Sequence, residues 1–177
     1  MTQATDFSIL FDLPPIGACR SSGAGRQQSW PAHLQELGLE GDSVAVEITE
    51  GLLLDSSAAV TGQLLQLRDA GVQVPLDDFG TGYSSLTYLQ RLDIDYIKID
   101  QSFVRHLVPA CTELSLCKAI IVMAHEPGLR VIAEGVETRG ECDLLAAAGC
   151  DFGQGYHFAR PMAVEAFDAF MAQRAAA

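Results

Sequence analysis

Four apolar segments of this chain each run into charged residues, and that repetition limits the folds open to it more than any other feature. Val72, Val74 and Leu76 lead into Asp77-Asp78, Tyr96-Ile97 into Lys98-Ile99-Asp100, Val131-Ile132-Ala133 into Glu134, and Val44-Ala45-Val46 into Glu47. Two adjacent carboxylates closing a buried strand are costly to hold there unless something cationic neutralises them. Polar residues ending successive strands, each followed by a helix, form the layout of an active-site rim on a parallel barrel. The pattern reads as an enzyme site built for metal.

The periodicity from Ser43 onward predicts alternating strands and helices. Strands are expected over 44–48, 72–77, 96–99 and 129–133, with a short fifth segment over 150–154. Helices are expected over 55–70, 84–92, 114–126, 139–148 and 164–173. Asp55, Ser56 and Ser57 mark one helix start, while Gly71 and Gly149 mark helix ends. Pro75 would normally demote its strand to an edge, unless it lies where no ladder donor is needed. Strand–helix alternation on this scale argues for a parallel sheet with helices outside. Charged residues at so many consecutive strand ends favour a barrel over an open doubly wound sheet, which concentrates its site at one switch point. The fold expected is α/β, a TIM-like (β/α) barrel with about five of its eight strand–helix units present.

The first 42 residues differ. Residues 30–39 form one amphipathic helix marked by Leu34 and Leu37, and 7–13 is the one candidate strand. Pro14-Pro15-Ile16-Gly17 and Arg20-Ser21-Ser22-Gly23-Ala24-Gly25 are turn or linker material. At 177 residues and 49% hydrophobic, the chain can bury a real core in one domain. A net charge of −12 argues against a nucleic-acid polymer as partner, though a bound divalent metal could still reverse the local field for a small phosphate ligand. No apolar run approaches a membrane span of about 20 residues. Five cysteines, odd in number and without Cys-x-x-Cys spacing, read as reduced thiols of a cytoplasmic protein.

Five motifs now occur in order: Glu47-Ile48-Thr49-Glu50, Asp77-Asp78-Phe79-Gly80-Thr81-Gly82-Tyr83-Ser84-Ser85, Lys98-Ile99-Asp100, Glu134-Gly135-Val136-Glu137, and Gln154-Gly155-Tyr156 followed by Arg160-Pro161. The series resembles the EAL domain family, bacterial signalling phosphodiesterases that hydrolyse cyclic di-GMP to the linear dinucleotide pGpG. The resemblance covers about residues 30–170. The family's Glu-Ala-Leu signature and its early asparagine ligand are both missing, since neither that tripeptide nor any asparagine occurs here. Residues 1–29 are therefore read as a divergent leader of a composition that tolerates disorder, and 30–177 as a truncated EAL domain.

The resemblance implies a two-metal site for Mg²⁺ or Mn²⁺, hard ions suited to carboxylates. Asp77 would bridge the two ions, Asp78 and Glu134 would complete one position, and Glu47 would serve the other with the absent Glu and Asn. Lys98 would orient the water nucleophile and stabilise developing negative charge, and Gln154 would hydrogen-bond that water or its surroundings. Glu50 would anchor the loop of Phe79, Gly80, Thr81 and Gly82. Asp100, Glu137, Tyr156 and Pro161 would contact substrate or support the site. As partners the resemblance implies cyclic di-GMP and, in full-length relatives, a homodimer or upstream regulatory domains.

Taken singly, Asp77-Asp78 would be a solvated turn and Lys98 a snorkelling lysine; the motif set is what reverses both. His33, His106, His125 and His157 share no ligand spacing, and Val60, Leu64, Leu65 and Leu67 read as core. Three hypotheses stay open: a phosphodiesterase, a module binding cyclic di-GMP or a partner without turnover, and a gene fragment unable to fold alone. With two ligands missing, at most one weak metal position and little hydrolysis by this chain alone are expected, because residues acting as a unit fail together.

Overall fold

The structure is a computed structural model that describes residues 34, 36–54, 58–80 and 94–175. Five parallel strands follow one another across a single sheet in chain order: β1 (Ile48–Thr49), β2 (Pro75–Phe79), β3 (Tyr96–Ile99), β4 (Arg130–Ala133) and β5 (Phe152–Gly153). A doubly wound sheet reverses its strand order at a switch point; this one does not. It winds in a single direction, as a barrel wall does.

Helices α1 (Glu50–Leu54), α2 (Ala58–Asp69), α3 (Gln101–Val104), α4 (Thr112–His125), α5 (Arg139–Ala148) and α6 (Val164–Ala175) intervene. Helix α4 buries Leu114, Cys117, Ile121 and Ala124, a helical stripe that packs on β3 and β4. On the sheet side Val74, Leu76, Ile97, Ile99, Val131 and Ala133 are buried with them, and α5 adds Leu145. Period-two alternation sends Ile97 and Ile99 to this layer and Tyr96 and Lys98 to the other face. Helix α5 begins with a capping box between Thr138 and Glu141 and ends at Gly149.

The anticipated elements differ mostly at their ends. The strand expected over 44–48 is a looser ladder: Ala45 bridges Gln73, and regular pairing starts only at Ile48 opposite Leu76. Pro75 is the first residue of β2, a strand with neighbours on both sides. Gln73 exchanges hydrogen bonds with Val44 and Val46, so alternation turns position 75 toward β1 as well, where the ladder is incomplete. Helices α1 and α3 are too short to show a period. Leu37 and Leu65 are exposed while Leu34 and Leu67 are buried. The expected strand over 7–13, the helix over 84–92 and half of that over 30–39 lie outside the described residues. Cys111, Cys117, Cys142 and Cys150 are free thiols. Burial pushes Cys117 up to about 11 and Cys150 up to about 12, and no described helix is long and apolar enough to cross a membrane.

Gly155 shows how tightly the segment after β5 closes on the loop after β4. It sits at φ 153°, and a Cβ there would stand 2.3 Å from Val136 O and 2.4 Å from Val136 N. Backbone cannot yield as a side-chain tip does. Gly155→Ala is therefore expected to destabilise the protein by about 3 kcal/mol through strain and overlap, read from the midpoint of urea unfolding. An unchanged midpoint would show that this contact is not as drawn.

Candidate functional site

Lys98, 2% exposed, stands next to the C-terminal residue of β3 and gathers three acids from three neighbouring segments. Its Nζ lies 2.5 Å from Glu47 Oε1, 2.5 Å from Glu134 Oε1 and 3.1 Å from Asp77 Oδ1. Glu47 stands just before β1, Asp77 lies in β2 and Glu134 follows β4 directly. Asp78 adds a fourth carboxylate: oxygens of Asp77, Asp78 and Glu134 lie within 4.8 Å of one another.

Adjacent residues of a regular strand point to opposite faces, so Asp77 and Asp78 could not both join this cluster from a straight β2. The register supplies the reason. Leu76 pairs with Ile97 but Phe79 pairs with Ile99, so two aspartates stand opposite the single residue Lys98. This is a bulge. Asp78 takes φ 56°, a left-handed conformation that aspartate tolerates better than most side chains. No sequence pattern announces the bulge beyond the Asp-Asp pair itself.

Electrostatics divide the cluster. Burial pulls the Lys98 ammonium down, but its hydrogen bonds and charge contacts with Glu134 and Glu47 outweigh this and hold it well above the ordinary lysine value. Glu47 and Glu134 are both held above the usual glutamate range, first by burial and then by neighbouring acids, with Lys98 only partly compensating. Burial and the Asp77 charge push Asp78 up as well. The lysine gains from all its neighbours, whereas each acid must share it. Asp77 Oδ1 is buried and, although close to Nζ, accepts no hydrogen bond.

That orphaned oxygen, beside two more carboxylates at ligand spacing, fits a hard divalent cation such as Mg²⁺ or Mn²⁺. Asp77, Asp78 and Glu134 form the group of described residues with this geometry.

The other anticipated residues lie around this centre with different contacts. Gly80 N donates to Glu50 Oε1 at 2.9 Å, joining α1 to the start of the loop after β2. Thr81 and Gly82 lie outside the described residues. Phe79 is buried in the core and Asp100 N-caps α3, accepting from Ser102 N at 2.9 Å. Gln154 follows β5 level with Glu134, its backbone N donating to Ala133 O and its O accepting from Val136 N. Glu137 is exposed, 3.8 Å from Arg105 Nη2, and Tyr156 is exposed beneath the Arg160 guanidinium. Pro161 is exposed. Sequence reasoning missed Glu141, a buried acid whose one signal is the Thr138-x-x-Glu141 capping spacing.

Comparison with known proteins places the chain. Residues 12–161 match the EAL domain family, reaching into the segment ahead of residue 30, and the chain belongs to that family. It is 46% identical over 123 residues to the cyclic di-GMP phosphodiesterase PA2567 of Pseudomonas aeruginosa, an alignment covering 70% of this chain and 21% of that protein. Its fold is similar to the EAL domain of Mycobacterium smegmatis DcpA, with 37% identity, a TM-score of 0.74, and coverage of 81% of this chain and 64% of that one. It is also similar to Klebsiella pneumoniae BlrP1 in a manganese and cyclic di-GMP complex, with 35% identity, a TM-score of 0.65, and coverage of 74% and 33%. The chain spans about a fifth of the length of the curated relatives it matches.

Two outcomes follow from the charge distribution. Replacing Lys98 by Met should cost about 3–5 kcal/mol in metal-free protein, because half-buried acids lose the cation that they share; calorimetric unfolding reads this. The raised acids predict a pH dependence of opposite sign to the usual one. Their contribution is fully present below the unfolded carboxylate range and lost as pH rises through the raised folded values. Mn²⁺ should restore it, so its stabilising shift in Tm should be larger near about pH 7.5 than near about pH 5. An equal shift at both would count against carboxylate ligation.

Proposed function

We propose that this chain contributes the cation-holding and charge-stabilising side of an EAL-type phosphodiester-hydrolysing site, with cyclic di-GMP as substrate and Mg²⁺ or Mn²⁺ as cofactor. The observation carrying this reading is the meeting of Asp77 and Glu134 at the buried Lys98 ammonium, with Asp78 at ligand spacing from both acids. The names of the relatives point to the same substrate.

Asp77, Asp78 and Glu134 would hold one cation, and Glu47 would serve a second. Bound divalent cations would supply acidification of a water and a clamp on phosphate oxygens. Lys98 is held charged by its acid neighbours, which disqualifies it as a base and makes it a fixed donor toward developing negative charge. Gln154, at the level of Glu134, would hydrogen-bond the water or its surroundings. Glu50 would hold the Gly80 end of the neighbouring loop, and Asp100, Glu137, Tyr156 and Pro161 would line the approach.

A second reading, cation-dependent capture of cyclic di-GMP with little turnover, is favoured by one observation. The described residues offer one three-carboxylate group, in a chain without asparagine. The assignment of 1–29 as leader and 30–177 as the EAL unit, the cytoplasmic placement, and a homodimer or upstream regulatory domains in longer relatives belong to this proposal as well.

The test is titration and assay of the chain. Calorimetry with Mn²⁺ should reveal one weak site, abolished by Asp77→Ala. Any pGpG formed from cyclic di-GMP should require Mg²⁺ or Mn²⁺ and disappear in Lys98→Ala, and turnover should rise by orders of magnitude when an EAL-type N-terminal segment is joined before residue 30. If none of these forms shows cation-dependent binding or hydrolysis, the proposal is overturned.

A further inference from the structure

Glu141 is 5% exposed and stands outside the cation cluster, its carboxylate met by backbone donors. Its two oxygens are used differently. Oε2 accepts from Glu137 N and Thr138 N, each at 2.9 Å, while Oε1 accepts from His106 N at 3.0 Å, across 35 residues of sequence. Thr138 Oγ1 accepts from Glu141 N in return. A capping box needs only the contact with Thr138 N. The contacts with Glu137 and His106 go beyond it and clasp the loop after β4 to the turn that follows α3.

That turn is not free to adapt. His106 holds φ 65° and Ala110 φ 64°, both left-handed without being glycine. At the other end of the β4 loop, Glu134 N donates to Ile99 O. Gly135 holds φ 68° and lies so near α3 that a Cβ would come within 2.6 Å of Gln101 Cβ. The segment from Glu134 to Thr138 is thus pinned at its first residue by β3 and at its last two by Glu141.

We propose that Glu141 is a positioning residue for the cation site, setting the path of residues 134–138 and through it the aim of the Glu134 carboxylate. The inference rests on the reading of Glu134 as a cation ligand. Three inward backbone donors suit a carboxylate with two acceptor oxygens, and they outweigh burial in keeping it ionised. Glutamine cannot replace it fully: its amide nitrogen would face an N–H on one side, leaving one loop unclasped.

The experiment compares the intact chain with Glu141→Gln, Glu141→Ala and a core control, Ile121→Val, all at a temperature where each is folded. Amide exchange reads the clasp at His106, Glu137 and Thr138, and electron paramagnetic resonance of free Mn²⁺ reads affinity. Faster exchange at these amides with about tenfold weaker Mn²⁺ binding in Glu141→Gln, and an unchanged affinity in Ile121→Val, is the expected result. Should Glu141→Ala fail to fold, Glu141→Gln alone carries the comparison. Unchanged exchange overturns the clasp, and faster exchange with unchanged affinity overturns the positioning role while wild-type binding survives. Absence of Mn²⁺ binding in the wild type overturns this inference too, but by removing the cation site itself, so the two failures are told apart.

Discussion

One ammonium holds the ends of this sheet together. Lys98 on β3 touches acids that precede β1, lie in β2 and follow β4. Parallel strands deliver their C-terminal ends to one rim, so acids on successive strands necessarily meet there. Four carboxylates facing one lysine leave the cluster short of positive charge, and burial magnifies that shortage because water cannot screen it. A chain selected for stability alone would replace such a group by apolar side chains. The arrangement is a socket with one fixed cation and a surplus of negative charge, which suits the cation-holding role proposed for it.

The socket depends on a local irregularity. A regular β2 would send Asp78 away from Asp77, and the three-acid group would not exist. The bulge costs a left-handed aspartate and a disrupted ladder, and it is placed beside the lysine that offsets part of the charge. Strain of this kind, of about 1–3 kcal/mol, is typical where geometry serves binding rather than folding. Glu50 supports the same strand end by accepting from Gly80 N, one residue beyond β2. Residue type and backbone conformation therefore act together: aspartate is the acid that tolerates the conformation needed.

Much of this was legible in the sequence, and the exceptions have physical causes. Strand–helix alternation and the acids at strand ends follow from hydrophobic period, so β2, β3, β4, α4 and α5 emerge close to their expected bounds. Helices α1 and α3 escape notice because four or five residues carry no period, and so does the part Asp100 plays as the cap of α3, accepting from Ser102 N. Pro75 begins a central strand because the side lacking a donor faces an incomplete ladder. Leu65 lies outside the buried stripe of α2, since one helix cannot turn Leu64, Leu65 and Leu67 all inward. Glu141 is not marked out in the sequence beyond its capping spacing, because the donor that distinguishes it, His106 N, is 35 residues away and only the fold brings it there.

The acids of this strongly acidic chain fall into two physical groups, and the division bears on function. Asp100 and Glu141 are met by backbone N–H groups, which outweigh burial and hold them below the usual carboxylate range. Asp95 and Asp151, ahead of β3 and β5, likewise accept from Val74 N and Val131 N at the opposite end of the sheet. These acids complete the hydrogen bonding of loops and strand starts, so their charge is already answered by the protein. At Glu47, Asp78 and Glu134 burial and the neighbouring acids prevail instead and raise all three. Charge left unanswered by the fold is charge available to a ligand. Residue type alone does not separate the groups, since glutamate and aspartate occur in both. What separates them is which influence prevails: backbone N–H groups at Asp100 and Glu141, burial and neighbouring acids at Glu47, Asp78 and Glu134.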